Sequence, residues 1–202
     1  MTIIKSSNIE GLELYSDNYP FRLPLKIDNF QNEADYTKFV KNCEKLVRSC
    51  LEYKEWRSYI IDVLGIHTCM ITEEIMSECT VEVHHHIPSL FVLIKGIVNK
   101  HVETEERFSS FDIASKAIEL HFMNKVGYVT LISSMHEKFH NGHLLIPSEL
   151  VKGDYNFFIT EYSRYIEEED LETINKRISI NESNCGWKRN DYQPDTRVSI
   201  GG

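Results

Sequence analysis

The sequence predicts an α+β protein: a mainly helical domain that encloses a small strand–strand–helix unit, preceded by an N-terminal β arm. Three observations carry this. Apolar residues recur at helical spacing through most of the chain. Two short runs alternate instead, as half-buried strands do: residues 79–86, and the strand-like stretch 127–132. Both runs lead into histidines. The first contains Val-Glu-Val-His-His-His-Ile-Pro at 81–88, and the second opens Gly-Tyr-Val-Thr-Leu-Ile-Ser-Ser-Met-His-Glu-Lys-Phe-His at 127–140.

Taken in order, residues 1–31 form the arm. Leu12, Leu14, Phe21, Leu23 and Leu25 alternate around the turn-prone Ser-Asp-Asn-Tyr-Pro at 16–20, the pattern of a short hairpin. Asn32 is placed to cap a helix, with Glu33 and Asp35 in its first turn and Tyr36, Phe39, Val40, Cys43, Leu46, Val47 and Cys50 along one face. A second helix is expected over 54–64, ending before Gly65. Two more cover 89–103 and 110–124, the latter capped by Ser109 or Ser110. After the second strand, Ser133 or Ser134 can cap a short helix that Asn141-Gly142 stops. From Asp154, the residues Tyr155, Phe158, Ile159, Tyr162, Tyr165 and Ile166 mark an amphipathic helix. The acidic run 167–170 is a solvated face or the start of a last helix, and 180–202 reads as a weakly ordered tail.

Composition narrows the class. With 202 residues, 42% of them hydrophobic, the chain can bury a sizeable core. A net charge of −9 argues against non-specific coating of nucleic acid, which needs Lys and Arg to neutralise phosphate. Five cysteines, scattered and odd in number, suit free thiols in a reducing compartment. No apolar run reaches membrane-spanning length and no signal region opens the chain, so the expectation is a soluble, cytoplasmic protein without membrane contact.

The histidines point to chemistry. Six of nine lie in or beside the two segments: His84, His85, His86, His136, His140 and His143. Residues four apart share a helix face, so His136 and His140 can reach one ion. A nitrogen from His84 completes a three-histidine site with positions open to water or an oxygen ligand. Strand alternation puts His84 and His86 on one face and His85 on the other unless the strand end twists, so His86 can be the ligand in place of His84. His67, His101 and His121 read as ordinary core or surface histidines.

Over roughly residues 66–145, the order strand, strand, short helix with these residues resembles the HNH (His-Me finger) endonucleases, whose core is a ββα-metal finger. The resemblance implies that His85, three positions before Pro88, is the general base and His84 a ligand. It implies that His136 is the final metal-binding position and that His140 is the extra ligand of the colicin-type DNase branch. Glu82 resembles the acidic residue of that branch and is a candidate to orient a ligand imidazole. The implied activity is metal-dependent hydrolysis of DNA to 5′-phosphate and 3′-hydroxyl ends, with one divalent ion (Mg, Mn, Ni or Zn) polarising the phosphate. Lys95, Lys100, Lys116 and Lys125 are the candidate phosphate contacts. The chain departs from the family's pattern where Ile132, Met135 and Thr72 replace zinc-knuckle cysteines, and where Gly127 stands for the middle Asn.

This reading divides the chain into an arm with helices (1–65), an HNH-like core with a helical insert (66–145), and C-terminal helices with a tail (146–202). Its partners are DNA and, given the low basicity, a recruiting protein or a second copy of the chain. Two rival readings stand beside it. One is a non-catalytic binding or assembly module. The other is a zinc protease of the His-Glu-x-x-His type, with Glu137 as base and Glu161 as third ligand.

Overall fold

The computed structural model describes residues 30, 32–73, 81–104, 108–188 and 191–192. The expected N-terminal arm lies outside these residues, apart from Phe30, whose ring packs against Tyr36 and Phe39. The described chain is mainly helical with one two-stranded antiparallel sheet, which is the coarse α+β class expected from the sequence.

Helix α1 runs Glu33–Ser49, and the Asn32 side chain accepts from the Asp35 amide at its start. Its buried stripe of Phe39, Val40, Cys43 and Val47 faces helices α3 (Leu90–Glu103) and α4 (Ser110–Phe122). Helix α2 (Leu51–Ser58) follows directly and runs on as a π-turn over Tyr59–Val63. Gly65, at φ +67°, ends it, the left-handed conformation that glycine accepts without penalty. Ser109 and Asp112 form a reciprocal capping box that starts α4.

The two strands are β1 (Val81–His85) and β2 (Tyr128–Ile132), paired from Val81↔Ile132 to His85↔Tyr128. The pairing continues past the strands, since His86 N–H donates to Gly127 and Gly127 N–H donates to Ile87. A Cβ at Gly127 would lie 2.2 Å from the Ile87 carbonyl oxygen. Glycine is thus required there for backbone approach, which explains the residue standing where the resemblance expected Asn.

Helix α5 (Ser133–His140) leaves β2 without a linker. The expected serine cap does not form: Ile132 occupies the cap position, and Ser133 is already helical. Asn141 and Gly142, the latter at φ +72°, do end the helix as expected. Helices α6 (Tyr155–Tyr162, capped by Asp154) and α7 (Glu168–Ile178) complete the fold, with a 3-10 turn over Ser163–Tyr165 between them. The acidic run is therefore the first turn of α7, where carboxylates meet the positive end of the helix dipole.

One hydrophobic core draws on residues from Phe39 to Ile174. The start of the expected tail is packed too: Cys185 is buried, and the Trp187 indole donates to the Leu145 carbonyl at 2.7 Å.

Candidate functional site

Strand β1 alternates strictly. Val81, Val83 and His85 are buried on one face, whereas Glu82 and His84 lie on the other, which α5 covers. Helical spacing presents His136 and His140 from α5 to that same face. The result is a triad: His84 Nδ1 lies 2.9 Å from His136 Nε2, and His140 Nε2 lies 2.9 Å from the same atom. One donor nitrogen from each residue falls within 4.8 Å of the other two. The sequence reading placed these three residues together, and the structure brings them together.

Glu82 is the triad's only close carboxylate among the described contacts. Its Oε2 lies 2.7 Å from His136 Nδ1, and Ser133 Oγ donates to its Oε1 at 3.3 Å. A carboxylate at that nitrogen fixes the His136 tautomer: Nδ1 carries the proton and Nε2 presents a lone pair to the triad. Burial, with His136, His86, His140 and Arg177 nearby, lowers the His84 pKa to about 2. His140, more exposed, is lowered for the same reasons in a smaller environment of burial, His136 and Arg177. His84 and His140 are therefore neutral near pH 7.

His85 faces the opposite way. Its ring is 4% exposed and stacks with Tyr53 and Trp56 at centroid distances of 6.0 and 5.8 Å. Its Nε2 lies 2.7 Å from His121 Nε2, while His121 Nδ1 lies 2.6 Å from the Ala117 carbonyl oxygen. His121 must donate through Nδ1, so its Nε2 accepts from His85 Nε2–H. Burial holds both pKa values down, His85 well below its usual value and His121 at about 4.

His86, the alternative ligand, is fully buried against Phe139, and its ring centroid lies 6.5 Å from that of His84. Its carbonyl accepts from Arg177 Nη1 at 2.8 Å. Desolvation, then Arg177, lowers its pKa to about 3, with the Ile146 backbone acting in the other direction. Sequence reasoning missed Arg177 because the contact joins positions 91 residues apart.

The remaining candidates are engaged elsewhere or lie apart. Lys95 pairs with Glu167 at 2.7 Å and Asp170 at 2.8 Å, and Lys116 pairs with Glu119. The Lys100 ammonium sits over the Tyr162 ring, and that of Lys125 over Phe157. Glu137 is exposed, and Glu161 is not part of the three-residue donor group. Cys43 and Cys69 are buried free thiols, and burial raises Cys43 to about 12. Among the described residues no helix is long and apolar enough to cross a membrane.

Comparison with known proteins decides the class. The family described as bacteriophage G278-like virion protein matches residues 3–194. The chain belongs to that virion-protein family. No curated protein and no solved structure matches it.

Membership in this virion-protein family overturns the nuclease reading. The HNH resemblance rested on a few residues within 66–145, whereas the family match runs through nearly the whole chain. The expectations of an enzyme, of DNA as substrate and of endonuclease activity are corrected accordingly, as is the rival zinc protease. The roles of His85 as general base and of Glu82 in catalysis fall with the activity they served. The physical reason for the mistaken reading is visible at His85. A base must reach the water that it activates, and the side of β1 that bears His85 is packed under aromatic rings.

Proposed function

We propose that this protein is a non-catalytic structural component of a phage particle, held there by contacts with other virion proteins. The single observation that carries the reading is the family match across residues 3–194. The buried His85–His121 pair supports it, since the residue that the nuclease resemblance needed as base is packed under Tyr53 and Trp56.

In this reading the β1–β2–α5 unit is a ββα finger used for shape and attachment. Its two histidine segments lie 52 residues apart in sequence and are joined through the His84–His136 contact. The acidic surface suits a protein that meets protein rather than the phosphates of packaged nucleic acid.

The test is to purify particles on a density gradient and to quantify the chain by mass spectrometry against known particle proteins. A fixed copy number per particle, retained through salt washes, is the expected result. A chain found only in the lysate, with complete and infective particles formed in its absence, would overturn the reading.

A further inference from the structure

We infer that His84 Nδ1, His136 Nε2 and His140 Nε2 form a structural site for one divalent ion of the zinc class, which pins strand β1 to helix α5. Nothing in the family description assigns such a site. It rests on the local geometry and not on the protein's place in a particle.

The first argument is distance. Zinc–imidazole bonds of about 2.05 Å in a tetrahedron place neighbouring donor nitrogens about 3.3 Å apart. Two of the nitrogen pairs here are at 2.9 Å. The third pair, His84 to His140, lies within 4.8 Å, so small rotations of the three rings bring all three nitrogens to that spacing.

The second argument is proton counting. With Nδ1–H of His136 directed at Glu82, its Nε2 offers a single lone pair. Both His84 Nδ1 and His140 Nε2 approach that one lone pair at 2.9 Å. Two linear hydrogen bonds cannot share it. If His136 is instead protonated on both nitrogens, its one Nε2–H serves only one of the two neighbours. An ion among three lone pairs satisfies all three contacts. The buried His84 Nε2 has no hydrogen-bond partner under any of these schemes, so it does not discriminate among them.

The third argument is the support around the donors. Metal-bound histidines commonly donate their second N–H to a carboxylate, which fixes the ring and strengthens the donor. Glu82 does this for His136 and is itself held by Ser133. Affinity is then carried by the imidazoles, and an all-nitrogen set selects zinc, nickel or cobalt over magnesium, which takes oxygen ligands.

The role is mechanical. Helix α5 has eight residues and no side-chain cap at its N-terminus, so it is weakly held by its own hydrogen bonds. An ion bridging it to β1 supplies a non-local tie. His140 is exposed, which leaves the fourth position to water or to a donor from a neighbouring protein.

The purified full-length chain, stripped with chelator, is titrated with zinc chloride by calorimetry and with cobalt chloride in the visible spectrum. Saturable 1:1 binding, the intense d–d bands of tetrahedral cobalt, and a rise in Tm with zinc are expected. His140→Ala, at an exposed position, should weaken zinc at least ~10-fold while the circular dichroism is unchanged, and Glu82→Gln should weaken it ~10- to 100-fold. His143→Ala serves as the control and should bind as the parent does. Absence of saturable zinc binding by the folded chain would overturn the site, and so would binding that His140→Ala leaves intact. A Tm that saturating zinc does not move would overturn its structural role. None of these outcomes depends on whether the chain is found in particles.

Discussion

His85 and His121 meet Nε2 to Nε2 at 2.7 Å inside a pocket walled by the rings of Tyr53 and Trp56. Both imidazoles are almost wholly buried. The hydrogen bond needs one Nε2 free of a proton, so the two rings cannot both be protonated, and burial disfavours charge on either. The pair thus turns two of the chain's most polar residues into parts of the core, at the cost of a narrow protonation requirement.

Stability should therefore fall in mild acid. The folded pKa of His121, about 4, is below the unfolded value of 6.5. Above pH 6.5 the ring is neutral in both states and its contribution is fully present. Between about pH 6.5 and 4 the unfolded chain binds a proton that the folded chain refuses, and stability is lost throughout that window. A shift of that size corresponds to roughly 3 kcal/mol at most for one group. Urea midpoints measured in chelator at pH 7.5, 6, 5 and 4 test this, and a flat profile from pH 7 to 5 would refute it.

The pair should also show strong coupling. His121→Leu strips the acceptor from His85 Nε2–H and leaves a buried donor unsatisfied, at a cost of about 1–3 kcal/mol. His85→Leu in the same background removes that stranded donor. The double variant should then be less destabilised than the sum of the two single variants, by roughly 1 kcal/mol or more. Additive unfolding free energies would show that the contact contributes nothing of its own.

What the sequence made legible was local or periodic. Asn32 and Ser109 cap helices because capping needs only a side chain and an amide three residues on. The triad was legible for the same reason: strand alternation fixes the face of His84, and one helical turn separates His136 from His140. Alternation also placed His85 on the far face, yet its partner His121 and its cover, Trp56, come from distant helices that no spacing rule connects to it. Arg177 is a similar case. Function was the least legible property, because histidine pairs at strand and helix spacing arise from packing and metal binding as readily as from catalysis. A handful of such positions carries far less information than a match through residues 3–194.

Glycines near the two-stranded sheet should differ sharply in their tolerance of a methyl group. At Gly153, φ is +84° and a Cβ would sit 2.0 Å from the Val126 carbonyl oxygen, so both conformation and space oppose alanine. At Gly142, φ is +72° but nothing lies within 4 Å of the added atom. Gly142→Ala should cost about 1–2 kcal/mol, the left-handed penalty alone. Gly153→Ala and Gly127→Ala should cost more, because backbone must move as well. Chemical denaturation of the three variants checks the order, and equal costs would contradict it.

Arg177 should be the residue through which α7 secures β1 and α5. Its Nη1 donates to the His86 carbonyl at 2.8 Å, and its guanidinium lies 5.5 Å from the centre of the Phe139 ring on α5. One side chain thus grips the end of β1 and the face of α5 together. A hydrogen bond from a charged donor is worth about 1.5–3 kcal/mol, and the ring contact adds about 0.5–1 kcal/mol. Arg177→Ala should lose about 2–3 kcal/mol of stability and speed amide exchange in α5 more than in α1, which Arg177 does not touch. Arg177→Lys should recover only part of the loss, because an ammonium cannot lie flat on the ring while reaching the carbonyl. Exchange that accelerates equally in α1 and α5 would mean that Arg177 supports the fold globally and does not hold β1 and α5 in particular.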